Sequence, residues 1–285
     1  MQQFVKVLFS LLVAAFSMAS CSKKIKQRED KLYSRHLQAH IMLSIISTPV
    51  PDNKSDMNLL LLNDGQDMTQ WKIKETIAQL YKEKQIGPLL VVAIHAHNRE
   101  AEYGVAGFPD YKNRGAKADK YANFIIQELY PYIKKQTGLR SFKTIAIAGA
   151  SLGGLSAMDI AWNNADKIDK VGVFSGSFWW RDKDAAATDY NDSKNRILLQ
   201  QIKSSRKRPK LQCWLYAGAK EETADRDKDG IIDVVDDTKD LIEILNNKKS
   251  IAASGIEYIE AADGEHNYAS WSKALPGFLI WAFKK

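Results

Sequence analysis

Thr144-Ile145-Ala146-Ile147-Ala148-Gly149-Ala150-Ser151-Leu152-Gly153-Gly154 is an alternating apolar run that ends in Gly-x-Ser-x-Gly and passes at once into a helical pattern. Strand, sharp serine-bearing turn, then helix is the nucleophile-elbow arrangement. The turn is strained and its helix packs close to the strand, so a Cβ at Gly149 or Gly153 would clash. Such a turn lifts the Ser151 hydroxyl above the sheet edge and leaves the Leu152 N–H at a helix N-terminus, where it can stabilise a developing oxyanion.

The chain on either side alternates between strand and helix patterns. Leu37 to Ile46, Met57 to Leu62, Leu89 to Ile94, Val171 to Phe174, Leu211 to Ala217 and Ile256 to Ile259 read as strands. Ile73 to Lys84, Ala116 to Gln136, Leu155 to Asn163, Asp189 to Lys203, Lys239 to Asn247 and Tyr268 to Phe283 read as helices. The continuous apolar strands require cover on both faces, which predicts an α/β fold with a mostly parallel sheet between helices. Neither an internal repeat nor a second domain is visible.

A serine alcohol is a weak nucleophile and needs a base, which in turn needs an orienting acid. A single histidine follows Ser151, and it is His266, between the last strand and the closing helix. The acid is expected just after the strand Leu211 to Ala217, where Glu221 is preferred and Glu222 and Asp225 are alternatives. His95 and His97, near a strand end, read as a polar cleft wall with Arg99 beside them.

These landmarks resemble the α/β-hydrolase esterase family that includes enterochelin esterases, feruloyl esterases, S-formylglutathione hydrolase and the mycolyltransferases. The residues that carry the resemblance are Leu62-Asn63-Asp64-Gly65-Gln66, Arg99 with Glu102-Tyr103, Glu128-Leu129-Tyr130-Pro131, the elbow, Ser175-Gly176-Ser177-Phe178-Trp179-Trp180, and Gly264-Glu265-His266 with Trp271. They run from about Met57 to the C-terminus. The resemblance implies an oxyanion hole made by the backbone amides of Leu152 and Gln66, and its Gly-x-x-Glu pattern selects Glu221 as the acid. The loop after an early central strand is also where the fold supplies the second donor. Because that donor is main chain, a side-chain change at Gln66 is expected to matter little. The resemblance further makes Trp179 and Trp180 part of the substrate-cleft wall, with core packing as the alternative for both, and Arg99 is read as a further substrate-binding residue. It implies no catalytic cofactor.

The segment Asp225 to Asp236 carries a separate signal. Asp225, Asp227, Asp229 and Asp233 occupy positions 1, 3, 5 and 9 of a twelve-residue loop. Gly230 stands at 6, Ile231 supplies a backbone carbonyl at 7, and Asp236 closes the set at 12, where the calcium pattern wants Glu. A structural calcium ion is expected there.

At the N-terminus, Lys6 precedes an apolar run from Val7 to Phe16, as in a secretory signal. Met18-Ala19-Ser20-Cys21 resembles a bacterial lipobox, which implies cleavage before Cys21 and acylation of that cysteine. The expected organisation is a signal peptide over 1–20, a polar and basic tether over 21–35 and the hydrolase domain over 36–285. The protein would then be lipid-anchored in the bacterial envelope, at the outer membrane facing the periplasm. Cys213, in an apolar strand, reads as a buried free thiol. The net charge of +7 comes without an aromatic-interleaved basic stripe, so nucleic acid is excluded as a partner.

The sequence therefore predicts a serine esterase acting on a small-molecule or glycan-linked ester through Ser151, His266 and Glu221. Siderophore esters and acyl or feruloyl groups on polysaccharides are the expected substrates. A calcium-steadied glycan- or siderophore-binding lipoprotein and an acyltransferase using the same three residues are the alternatives.

Overall fold

The computed structural model describes residues 25–247 and 255–285. The expected signal peptide and Cys21 lie outside the described residues. Eight strands form one sheet in the order β1-β2-β4-β3-β5-β6-β7-β8. They are β1 (Lys26–Ser34), β2 (Ala39–Ser47), β3 (Asn58–Asn63), β4 (Leu89–Ile94), β5 (Ile145–Ala150), β6 (Lys170–Phe174), β7 (Gln212–Gly218) and β8 (Ile256–Ala261). The pairs from β4 through β8 are parallel, whereas β1 with β2 and β2 with β4 are antiparallel. The predicted α/β-hydrolase architecture is thus present, a mostly parallel sheet with one antiparallel edge.

Helices cover both faces. They are α1 (Ile73–Lys82), the short α2 (Arg99–Glu102), α3 (Ala118–Asn123), α4 (Tyr130–Thr137), α5 (Leu152–Asn163), α6 (Asp192–Asn195), α7 (Ile197–Ser204), α8 (Asp233–Asn247) and α9 (Tyr268–Phe283). A π-helical stretch, Phe124–Leu129, joins α3 to α4, so the expected single long helix exists but widens in its middle. The sheet separates two apolar layers. Leu59, Leu61, Val92 and Ile147 face one with α5, and Leu60, Leu62, Val91 and Ala148 face the other with α1 and α9. Strand alternation alone accounts for this division. All six residues of β3, β4 and β5 are buried, as continuous apolar runs require.

The expected tether needs correction. From Lys26 onward the stretch pairs in full register with β2, from Lys26 opposite Ser47 to Ser34 opposite Ala39. Its side chains are mostly exposed, so it carries no apolar alternation from which a strand could be read. An edge strand needs only its backbone to pair, and a charged edge strand also discourages further pairing. Among the described residues no helix is long and apolar enough to cross a membrane.

Candidate active site

The residues singled out by chemistry gather at the C-terminal ends of the parallel strands, where such sheets open. Asp64 and Gln66 follow β3, Ser151 follows β5, Ser175 and Ser177 follow β6, Glu221 follows β7 and His266 follows β8. Each loop is tied to its neighbour. Ser151 N donates to Phe174 O at 2.9 Å, Ser175 N to Tyr216 O at 2.7 Å, and Lys220 N to Gly264 O at 2.9 Å. Those bonds hold the loops in one row.

The elbow is strained as expected. Ser151 has φ 55° and ψ −124°, a conformation that costs a non-glycine residue about 1–3 kcal/mol. A Cβ on Gly149 would stand 2.4 Å from Gly153 O, so strand and helix meet too closely for any side chain there. The amides of Leu152 and Gln66 have no hydrogen-bond partner among the described residues. An oxyanion hole requires N–H groups left free in this way.

His266 Nδ1 lies 2.8 Å from Glu221 Oε2, with the Glu221 side chain buried and the imidazole 40% exposed. The other Glu221 oxygen accepts from Ser175 Oγ at 2.5 Å and from Gly218 N at 2.6 Å. Trp271 Nε1 donates to Ser175 Oγ at 2.8 Å, and the Trp271 ring meets His266 edge to face at 5.2 Å. A Cβ on Gly218 would stand 2.4 Å from Gly264, so glycine lets the acid and base loops close on each other. Ser151 Oγ is 3.3 Å from Ser177 Oγ, and no hydrogen bond joins Ser151 to His266. Catalytic hydrogen bonds are often long or unformed without substrate.

Glu222, the alternative acid, does something else. Its carboxylate accepts from Val234 N at 2.8 Å in the first turn of α8, and burial pushes its pKa up. Asp225, the other alternative, accepts from Gly230 N within its own loop.

The loop after β3 is more elaborate than a bare backbone donor. Asp64 adopts φ 58° and its N–H donates to Tyr103 Oη. Arg99 grips the Asp64 carboxylate with two hydrogen bonds, at 2.9 and 3.2 Å. Burial works against the Arg99 charge, but its bonds and charge pairing with Asp64 more than offset this, so its pKa rises. The Gln66 side-chain amide donates to Asp64 Oδ1 and Asp67 Oδ2, and its oxygen accepts from Ala96 N. The expected indifference of the Gln66 side chain is therefore corrected: it stitches the loop that bears its own N–H.

Trp179 is half-buried, with the Arg114 and Arg181 guanidiniums 5.1 and 5.8 Å from its ring. Trp180 is fully buried and donates to Phe108 O. His95 bonds Ser44 at 2.8 Å and His97 bonds Glu102 at 3.3 Å, so each has its own partner. Cys213 is a buried free thiol, its pKa pushed up to about 12 by burial.

In the acidic loop, Asp225, Asp227 and Asp229 bring carboxylate oxygens within 4.8 Å of one another. Asp233 departs from the expected ligand set. Its two oxygens accept from Arg226 N and Arg226 Nη1, both at 2.8 Å. Asp236 lies within α8 and is not in the converging group; burial first, then Asp240, raises its pKa to about 6. The donor set thus fits a cation at the first three positions and withholds the ninth, because an arginine already neutralises it.

Sheet order, elbow and paired imidazole define an α/β-hydrolase of the carboxylic ester hydrolase class. The chain belongs to the Putative esterase family, whose model matches residues 39–282. It is 27% identical over 124 residues to the uncharacterised protein YbbA of Bacillus subtilis, covering 42% of this chain and 49% of that one. Thus the chain matches about half the length of that curated relative. Among solved structures it resembles the enterobactin esterase of Shigella flexneri, with a TM-score of 0.69, 22% identity, and coverage of 91% of this chain and 59% of that chain. It also resembles a ferulic acid esterase (TM-score 0.67, 18% identity, 92% and 98% covered). The siderophore hydrolase EstB of Aspergillus nidulans is a third (TM-score 0.63, 17% identity, 88% and 93% covered).

Proposed function

We propose that this esterase works through an acyl-enzyme on Ser151. His266 takes the Ser151 proton as Oγ attacks the ester carbonyl, and the oxyanion rests on the Leu152 and Gln66 amides. Collapse of the tetrahedral intermediate expels the alcohol, which receives the proton from His266. Water then attacks the acyl-enzyme with His266 again as base, releasing acid and free serine. Glu221 fixes the imidazole tautomer and stabilises the imidazolium. Ser151 Oγ turns from Ser177 toward His266 when substrate arrives. The observation that carries this reading is the 2.8 Å bond between His266 and buried Glu221, at the sheet edge that also presents the strained Ser151.

Arg181 over the Trp179 ring makes an aromatic and cationic surface that follows Ser177 in the chain, while Arg114, on the same ring, is already neutralised by buried Asp110. That surface supports an aryl or anionic acyl group, as in siderophore or feruloyl esters. A hydrolysis screen over catecholate, feruloyl, acetyl-sugar and simple alkyl esters tests this. Catecholate or feruloyl esters should give the highest kcat/KM, and a preference for alkyl esters would overturn it. Transfer to an added sugar alcohol in place of water would favour the acyltransferase reading.

The acidic loop takes a calcium ion through Asp225, Asp227 and Asp229 in our proposal, without Asp233, which Arg226 holds. Millimolar calcium should then stabilise the protein by about 1–2 kcal/mol. A Tm unchanged between calcium and EGTA would remove calcium from the account.

A further inference from the structure

The chain enters the described structure at Ile25, which packs on the apolar layer under α9 and lines a groove of about 870 Å³. Five lysines surround this groove, Lys74, Lys82, Lys84, Lys143 and Lys285. All five are exposed, and none makes an ion pair with a described carboxylate. Tyr81, Ile86 and Pro88 form its apolar floor, and Asp56 is the single acidic side chain among its lining residues, joined by the terminal carboxylate of Lys285. The groove lies at the N-terminal ends of the parallel strands, since Pro88 precedes β4 and Lys143 precedes β5. Ser151, Glu221 and His266 lie at the opposite ends, about 20 Å away along strands of six residues.

β1 changes the reach of the anchor. A fifteen-residue tether could hold the domain about 50 Å from a bilayer. With Lys26 already paired in the sheet, Cys21 is four residues from Ile25, a span of at most about 14 Å. A lipid on Cys21 therefore keeps this groove within reach of the membrane surface.

We propose that the lysine-rimmed groove is the membrane-facing surface of the enzyme and binds anionic phospholipid headgroups, so that the active site faces away from the bilayer. The proposal rests on the reading of Cys21 as a lipidation site. The charge fits: each lysine near an anionic leaflet adds attraction that salt screens. One acyl signal plus a basic patch is also a stable way to hold a protein on a membrane. The consequence for substrate is direct. Esters dissolved in the surrounding fluid or carried on glycans can reach Ser151, whereas ester lipids of the anchoring leaflet cannot.

The test uses the full chain, expressed with its own N-terminus, purified from membranes in detergent and reconstituted into two vesicle types. One is phosphatidylcholine alone and the other contains about 30% phosphatidylglycerol. The mass of the Cys21 peptide reports acylation, and acetylation by an N-hydroxysuccinimide ester reports exposure of each lysine. Acylated Cys21 is expected. Lys74, Lys82, Lys84, Lys143 and Lys285 should label at least fivefold more slowly on the anionic vesicles, and salt at about 0.5 M should abolish the difference. Lys112 and Lys203 should label equally on both. In a Lys74→Gln, Lys82→Gln, Lys84→Gln, Lys143→Gln variant, Lys285 should label equally on both vesicles while hydrolysis of a soluble ester is unchanged. An unacylated Cys21 would overturn the anchor reading and with it the proposal. An acylated Cys21 with equal lysine labelling on the two vesicles would overturn the proposal alone.

Discussion

Ser175 Oγ lies 2.5 Å from Glu221 Oε1, and the same oxygen of Ser175 accepts the indole N–H of Trp271. A chain of donors thus runs from Trp271 through Ser175 to Glu221, whose other oxygen accepts from His266 Nδ1. Its effect is to aim one carboxylate oxygen at the imidazole while the other is fully occupied. Ser175 itself sits at φ 52°, a second strained residue one strand away from the elbow.

Removing that hydroxyl is informative. Ser175→Ala leaves the buried Trp271 N–H without its acceptor and Glu221 with one donor fewer. A stability loss of about 1–3 kcal/mol is expected in denaturant melts. In steady-state assays kcat should fall about tenfold with little change in KM. An unchanged kcat would show that Glu221 is held well enough by Gly218 N.

The two adjacent glutamates should separate cleanly. Glu221→Gln removes the charge that stabilises the imidazolium and should lower kcat by at least about 100-fold. Glu222→Gln weakens a bond to the first turn of α8, costing about 1 kcal/mol of stability and leaving kcat within twofold. Circular dichroism melts beside initial rates decide the matter, and the reverse pattern would reassign the acid.

Arg99 and Gln66 both bind Asp64, in the loop proposed to carry an oxyanion donor. Arg99→Met frees the Asp64 carboxylate and should reduce kcat about tenfold, and Gln66→Ala should do the same by loosening the Gln66 N–H. A full loss of one donor costs roughly 3 kcal/mol, so larger effects would mean the loop collapses. A change confined to KM would instead make Arg99 a substrate-binding group.

Asp159, buried in α5, has its pKa raised to about 6 by burial, although Ala106 N and Asn163 donate to it. A carboxyl with a raised folded pKa favours the protonated folded state. Stability should fall as pH rises from about 4 through 6, by up to about 3 kcal/mol from this group alone. Asp159→Asn removes the charge and should raise Tm at pH 7.5 but not at pH 4. An equal shift at both values would place the effect in packing and not in ionisation.

Much of the sheet could be read because buried parallel strands advertise themselves as unbroken apolar runs, as β3 and β4 do. The elbow was legible because glycine spacing and helix onset are both local. β1 was not legible, since its exposed faces leave no periodicity and only backbone pairing with β2 defines it. The histidine was singled out by its position after the last strand, whereas the place after β7 left Glu221, Glu222 and Asp225 open, and it is the bond to His266 that distinguishes Glu221. Ser175, Ser177 and the Asp64–Arg99 pair depend on loops distant in sequence meeting at the sheet edge. Ser175 stands in a quoted motif, yet nothing local says that its hydroxyl serves Glu221. Asp233 was misassigned because ligand spacing cannot reveal that a neighbouring arginine already holds the carboxylate.

The most direct test of the central claim is covalent labelling by a fluorophosphonate, read as intact mass and by peptide mapping. The wild-type protein should gain one adduct, on Ser151, and lose hydrolysis of p-nitrophenyl acetate in step with labelling. Ser151→Ala should fold normally, gain no adduct and lose nearly all hydrolysis, and His266→Ala should label at least 100-fold more slowly. A Ser151→Ala protein that still hydrolyses the ester at the wild-type rate, or an adduct mapped to another serine, would contradict the account.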